Sequence, residues 1–273
     1  MSTAAVLLVK DELDILPSVL PHMLAQVDQV IVSDNMSTDG TREWLHDCDD
    51  DRLLVLDDLE PAYYQSRKTT ELAMRALDAG HSWVVPCDAD EVWYVQADPE
   101  RRIADYLAGT APDVQIVKAE LYNHIPTASD PPAEFNELNE NGEKISGQRT
   151  MVERIGWRKR EHGALPKVAC RLHHELVIHA GNHSAYYPGV ALAVDGLCIR
   201  HFSWRTAEQY LLKLRNGERA YAASDLPEGI GTHWRMFAEA TDETIREHFD
   251  RWFFSRDPEL DDSLIYDPAP VMA

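Results

Sequence analysis

The chain has 273 residues, enough to bury a substantial core in one large α/β domain or two small ones. Its 47 acidic and 26 basic residues give a formal charge of −21, which argues against a broad footprint for nucleic acid or an anionic membrane and requires that any anionic ligand be met by local positive charge. No apolar run approaches the roughly twenty residues of a membrane span. The four scattered cysteines, Cys48, Cys87, Cys170 and Cys198, follow no basic-then-apolar leader, so the expected setting is reducing and cytoplasmic.

Ala4–Val9 is an apolar run of the buried-strand kind, ended by Lys10-Asp11-Glu12. Leu13, Leu16, Val19, Leu20, Met23 and Leu24 recur at helical spacing, with Asp11, Glu12 and Asp14 at the helix's positive end and Pro17 near its start. Residues 29–33 form a second apolar run that breaks into the turn-rich Asp34–Thr41, where a helix begins. A third strand over 53–56 and a helix over 64–79 closed by Gly80 follow, and then a fourth strand, Trp83–Pro86. Strand alternating with helix over about 95 residues predicts an α/β fold with a mostly parallel sheet covered on both faces.

The fourth strand stops at Pro86-Cys87-Asp88-Ala89-Asp90-Glu91. Two carboxylates at i and i+2, delivered at a strand's carboxyl end, offer oxygen donors close enough to share one hard divalent cation. The crevice beyond the strand ends is where such folds bind ligands. A diphosphate would be repelled there by carboxylates alone, and a cation between the two resolves the conflict. Carboxylates that only solvate a loop are the alternative. Gln65, Arg67 and Lys68 open the preceding helix, where side-chain and backbone donors could meet a diphosphate or form a solvated basic patch.

Beyond residue 95 the spacing predicts a helix over 101–107, a strand over 114–121, an irregular excursion over 123–147 beside the active site and short strands over 167–172, 176–179 and 197–201. Helices over 207–222 and 241–254 make the tail helical. With no linker and no internal repeat, the expectation is a single domain over 1–273: a nucleotide-type half (1–95), a less regular part (96–205) and C-terminal helices (206–273).

Taken together, Val9-Lys10-Asp11-Glu12, Ile31–Thr41, Pro86–Glu91 and Arg200-His201-Phe202-Ser203-Trp204-Arg205 resemble the motifs of glycosyltransferase family 2 enzymes of the GT-A, Rossmann-like fold. The likeness covers the first 95 residues well and the rest in patches. It implies a sugar carried on a nucleotide diphosphate, with Mn²⁺ or Mg²⁺ on the diphosphate, transferred to a hydroxyl of a glycan, small molecule or protein. It places Asp34 near the nucleoside, Lys10 and Glu12 at the pocket rim, Asp88 at the ribose and metal, and Asp90 on the metal. Asp34 could instead cap its turn, and Glu12 could favour the helix start. In the family a late-strand histidine completes the metal's coordination, and His201 fits that place better than His183. Gly181–Ser184 forms a second active-site loop, and His183 is assigned with Gln65 and Lys68 to the donor substrate.

Twelve histidines invite a zinc reading around Cys170, His173, His174, His179 and His183, but His174 and His179 miss the two-histidine helical spacing by one residue. An inverting transfer needs a base on the acceptor hydroxyl. Glu175, Glu120 and Asp195 are candidates, with Glu175 preferred, and retaining chemistry stays open. A nucleotide-binding module without turnover and a sugar-phosphate nucleotidyltransferase are the competing functions. The latter is disfavoured because Lys10-Asp11-Glu12 is acidic and lacks glycine.

Overall fold

The computed structural model describes residues 1–138, 144–163, 165–227 and 229–268. Up to residue 95 the chain runs β1 (Thr3–Val9), α1 (Leu16–Gln26), β2 (Gln29–Asp34), α2 (Thr41–Asp47), β3 (Leu53–Asp57), α3 (Gln65–Asp78), β4 (Trp83–Pro86) and β5 (Glu91–Val95). Next come α4 (Ile103–Ala108), β6 (Val114–Asn123), β7 (Glu134–Leu138), β8 (Lys144–Gln148), α5 (Met151–Arg154), β9 (Trp157–Lys159), β10 (Lys167–Arg171) and β11 (Val177–Ile178). A 3-10 turn at Ala180–Asn182 leads to β12 (Ala185–Tyr186), β13 (Leu192–His201), α6 (Ala207–Ala222), α7 (Thr232–Arg235), α8 (Asp242–Trp252), a second 3-10 turn at Pro258–Leu260 and β14 (Leu264–Tyr266).

Eight strands form one sheet in the order β3-β2-β1-β4-β10-β6-β13-β5. Alternation along β1 sends Ala5, Leu7 and Val9 into a core shared with α1, α2 and α4, through Leu16, Leu20, Leu45, Ile103 and Leu107. Ala4 and Val6 face a second core with Leu72, Ala73 and Ala76 of α3. Because both faces are covered, the strand is apolar throughout, which is why it is legible as a run rather than as an alternating pattern.

The expected α/β sheet is present: β3-β2-β1-β4 and the pair β6-β13 are parallel, while β10 and β5 join antiparallel, so the sheet as a whole is mixed. Strand β5 starts five residues after β4 ends, yet pairs at the far edge beside β13. Four strand spacings of about 4.8 Å exceed what five residues can span at roughly 3.4 Å each. The sheet must therefore curl, and the turn Cys87–Asp90 sits inside the curl.

The region expected to be an irregular excursion over 123–147 carries a hairpin, with β7 paired to β8; residues 139–143 lie outside those described. The tail is not wholly helical. Helices α6 and α8 share a small core of Tyr210, Leu214, Ile245 and Phe249, but the chain then returns as β14 to pair with β9. No described helix is long and apolar enough to cross a membrane.

Candidate active site

At the carboxyl ends of β1 and β4, a cavity of about 750 Å³ opens between the sheet and α6. Its first wall is the loop after β1. Lys10 donates from Nζ to the Asn35 carbonyl (2.6 Å), tying the β1 end to the β2 end. Asp11 adopts a left-handed backbone (φ 53°), and its carboxylate accepts from Thr38 N (2.6 Å) and Asn216 Nδ2 (2.7 Å). The loop is thus pinned to both β2 and α6. Beside it, Lys68 Nζ reaches Asp58 Oδ2 (2.5 Å), and Asn35 donates to the same oxygen (2.9 Å).

The floor is the turn between β4 and β5, where Asp88 and Asp90 have separate partners. Asp88 accepts from Lys167 Nζ (2.5 Å) and Asn182 Nδ2 (3.2 Å). Glu91, fully buried, lies 2.5 Å from the same ammonium and accepts from Asp88 N and the Trp93 indole, so it anchors the turn from beneath. Burial pushes the Glu91 carboxyl up, against the pull of Lys167. Burial opposes the charge of Lys167 too, but Asp88 and Glu91 outweigh it and raise its pKa.

Asp90 is 2% exposed. Its Oδ2 accepts from Lys213 Nζ (2.6 Å) of α6, while its Oδ1 faces His201 Nε2 at 3.6 Å. Burial disfavours the Asp90 charge, but Lys213, His201 and Arg205 overcome it and hold the carboxyl well below the usual range. His201 Nδ1 donates to Asn123 Oδ1 (2.8 Å), which fixes the ring with Nε2 turned towards Asp90. Arg205 is buried against Glu12, Asp14 (2.8 Å) and Asp90 (3.8 Å), and Lys213 also touches Glu12 Oε1 (3.0 Å).

Of the residues singled out in the sequence, Lys10, Glu12, Gln65, Lys68, Asp88, Asp90, His183 and His201 line this cavity. Asp34 lies beneath its wall: Oδ2 accepts from Ser37 N (3.0 Å), the turn-capping alternative, and Oδ1 is buried without a partner. Glu12 is held by Arg205 and Lys213 rather than free at a rim. Glu175 lies on an exposed loop away from the cavity, because β10 runs antiparallel to β4 and its last residue, Arg171, pairs with Trp83 at the opposite end of the strands. With His173 and His174 it forms an exposed group whose donor atoms lie within 4.8 Å of one another. The comparable group in the cavity joins Asp90, Glu91 and His201; the structure does not bring Asp88 into it.

No family model matches the sequence, and no curated protein does. Among solved structures the chain is similar to residues 1–349 of S. aureus TarS (13% identity, 92% of this chain and 73% of that one, TM-score 0.37). It is also similar to glucosyl-3-phosphoglycerate synthase from Mycobacterium tuberculosis, described with Mn²⁺ and uridine diphosphate (20%, 44% of each chain, TM-score 0.31). A third likeness is to 4-diphosphocytidyl-2C-methyl-D-erythritol synthase from Anaerococcus prevotii (11%, 93% of this chain and 87% of that one, TM-score 0.33). Against the longer S. aureus TarS chain, this one spans 44% of the length. At these identities and scores the chemistry has to be argued from the site itself.

The residues that sequence reasoning did not reach are cations and amides: Lys167, Lys213, Asn123 and Asn216. Lys213 lies one short helix run beyond the His201–Arg205 segment, so its helical register could have flagged it. Lys167 opens β10, where a charged residue at a strand start carries no signal.

Proposed function

We propose that the protein is a metal-dependent glycosyltransferase that takes a sugar from a nucleotide diphosphate and places it on an acceptor hydroxyl. The observation that carries this reading is the pairing of Asp90 Oδ1 with His201 Nε2 at 3.6 Å, too far for a hydrogen bond and suited to a cation held between them. The donor set fits Mn²⁺: one carboxylate oxygen kept ionised, and one imidazole whose tautomer is fixed by Asn123. When bound, such an ion neutralises charge on a departing diphosphate.

The chain's own residues supply the rest. Lys213, 2.6 Å from the other Asp90 oxygen and lining the cavity, adds a second positive charge for the diphosphate. Lys10, Asn35, Asp58, Gln65 and Lys68 border the end of the cavity nearest β1 to β3, and we assign the nucleoside to that end. With both oxygens engaged, Asp88 orients Lys167 and Asn182 rather than ligating the cation.

Titration calorimetry of UDP and of GDP, each with and without Mn²⁺, tests the reading. Asp90→Ala is expected to abolish the Mn²⁺-dependent part of the affinity, a loss of at least ~100-fold, and His201→Ala to lower it by about 10–100-fold. Unchanged affinity in Asp90→Ala contradicts the assignment. Release of nucleoside diphosphate from a sugar donor separates an enzyme from a binding module.

A further inference from the structure

The cavity contains no free carboxylate among its described lining residues. Asp11 is held by Thr38 and Asn216, Glu12 by Arg205 and Lys213, and Asp58 by Asn35 and Lys68. Asp88 is held by Lys167 and Asn182, and Asp90 faces Lys213 and His201. A carboxylate clamped by an ammonium or guanidinium, or, like Asp11, accepting hydrogen bonds on both oxygens, is a poor acceptor for a further proton. His183 is different. Its Nδ1 donates to the Pro166 carbonyl (3.1 Å), so the ring's lone pair belongs to Nε2, and no hydrogen bond among the described residues reaches that nitrogen.

The ring is also built into place. Gly181 takes a left-handed backbone (φ 77°), and a Cβ there would lie 2.5 Å from His183 Cδ2 and 2.9 Å from Nε2. The imidazole therefore rests on a glycine that no other residue could replace without moving it. Gly181 N in turn donates to Gln65 Oε1 (2.7 Å), and Asn182 donates to Asp88. The loop spans from the start of α3 to the β4–β5 turn. His183 is thus fixed in the wall of the cavity that holds Asp90.

We propose that His183 Nε2, rather than contacting the donor as expected from the sequence, is the general base for the acceptor, a deepening that rests on the transferase reading above. The acceptor hydroxyl gives its proton to Nε2 as its oxygen bonds the anomeric carbon. The bond from that carbon to the diphosphate oxygen breaks, its electron pair leaves with the diphosphate beside Lys213, and the imidazolium then releases its proton to solvent. Attack and departure on opposite faces make the reaction inverting. Burial lowers the His183 pKa from 6.5, with Lys167 and His201 acting the same way and the Pro166 carbonyl and Asp88 opposing them, so the ring is neutral at pH 7.

The test uses the full chain with Mn²⁺ and UDP-glucose, UDP-galactose, UDP-N-acetylglucosamine and GDP-mannose, with water as acceptor and nucleoside diphosphate release as readout. In His183→Gln, turnover is expected to fall about 10²–10³-fold while Mn²⁺-dependent affinity for UDP or GDP stays within about twofold. The acid limb of the wild-type rate profile, with its midpoint below 6.5, should disappear. Added imidazole should restore turnover in His183→Ala at least ~tenfold, an effect that a packing role would not produce. Turnover within about threefold of wild type and an unaltered pH profile overturn the base assignment while leaving the transferase reading intact. Absence of any Mn²⁺-dependent nucleotide binding by the wild type sinks the reading itself, and the base with it. Independently of turnover, ¹⁵N-histidine spectra at pH 7, assigned with His183→Gln, must show His183 neutral with its proton on Nδ1. A protonated ring or the other tautomer overturns the proposal.

Discussion

Asp88 and Asp90 stand two positions apart and have different neighbours. One is clamped by Lys167 and Asn182; the other keeps an oxygen directed at an imidazole. The acidic triplet was legible in the sequence as a place for chemistry, but the division of labour within it was not. It depends on Lys167 and Lys213, which arrive from β10 and α6 with no local pattern to announce them. Single residues elsewhere carry pH dependence. His124 is stacked on Phe202 at 4.5 Å, donates from Nδ1 to the Ile155 carbonyl and has a buried, unpartnered Nε2. Burial lowers its pKa to about 3 from 6.5, the value expected once the chain unfolds. The unfolded state therefore takes up a proton that the folded state refuses. The resulting stability is complete above pH 6.5 and falls at about 1.4 kcal/mol per pH unit as pH drops from 6.5 towards 3. Urea unfolding at pH 7 and pH 5 should show this loss in wild type and a smaller one in His124→Asn; equal losses would contradict it.

Among elements, β1, β2, β3, α3, β6 and α6 were readable because each is a run long enough, or periodic enough, to bury one or two faces. Strand β5 was not, since it follows β4 after a four-residue turn and its pairing at the far edge is a property of the curled sheet. The hairpin β7–β8 was hidden by polar composition. Helix α6 carries a further constraint, Gly217, in its middle. Glycine there costs the helix about 1 kcal/mol relative to alanine. A Cβ at that position would lie 2.5 Å from Trp234 Cε3, so the glycine seats an indole that lines the cavity. Gly217→Ala should then destabilise the protein by about 1–3 kcal/mol of overpacking, less the propensity gain. A thermal melt should show a lower Tm, by ~2–4 °C for each net kcal/mol. A raised Tm, the propensity gain alone, would mean that Trp234 is not held there.

At the scale of the whole molecule, a net charge of −21 leaves an anionic ligand dependent on local charge. Lys10, Lys68, Lys167 and Lys213 line the cavity, but so do Asp11, Glu12, Asp58, Asp88 and Asp90, so a diphosphate there calls for the added charge of a cation. Net charge governs long-range behaviour, whereas the local field is set by which side chains the topology brings to the strand ends. The strand-then-acid pattern in the sequence therefore pointed to the turn that borders this cavity. It left the position of Glu175 hidden, since no local signal tells that β10 runs antiparallel to β4 and so carries the following loop away from the cavity.

The central claim is that a divalent cation is held between Asp90 and His201 against a nucleotide diphosphate. Crystals soaked with Mn²⁺ and UDP, and with Mn²⁺ and GDP, test it through the anomalous signal of manganese. The expected result is a single strong peak bonded to Asp90 Oδ1 and His201 Nε2 with diphosphate oxygens completing its coordination. A diphosphate bound in the cavity with no peak there, or a peak coordinated by neither side chain, would contradict the account.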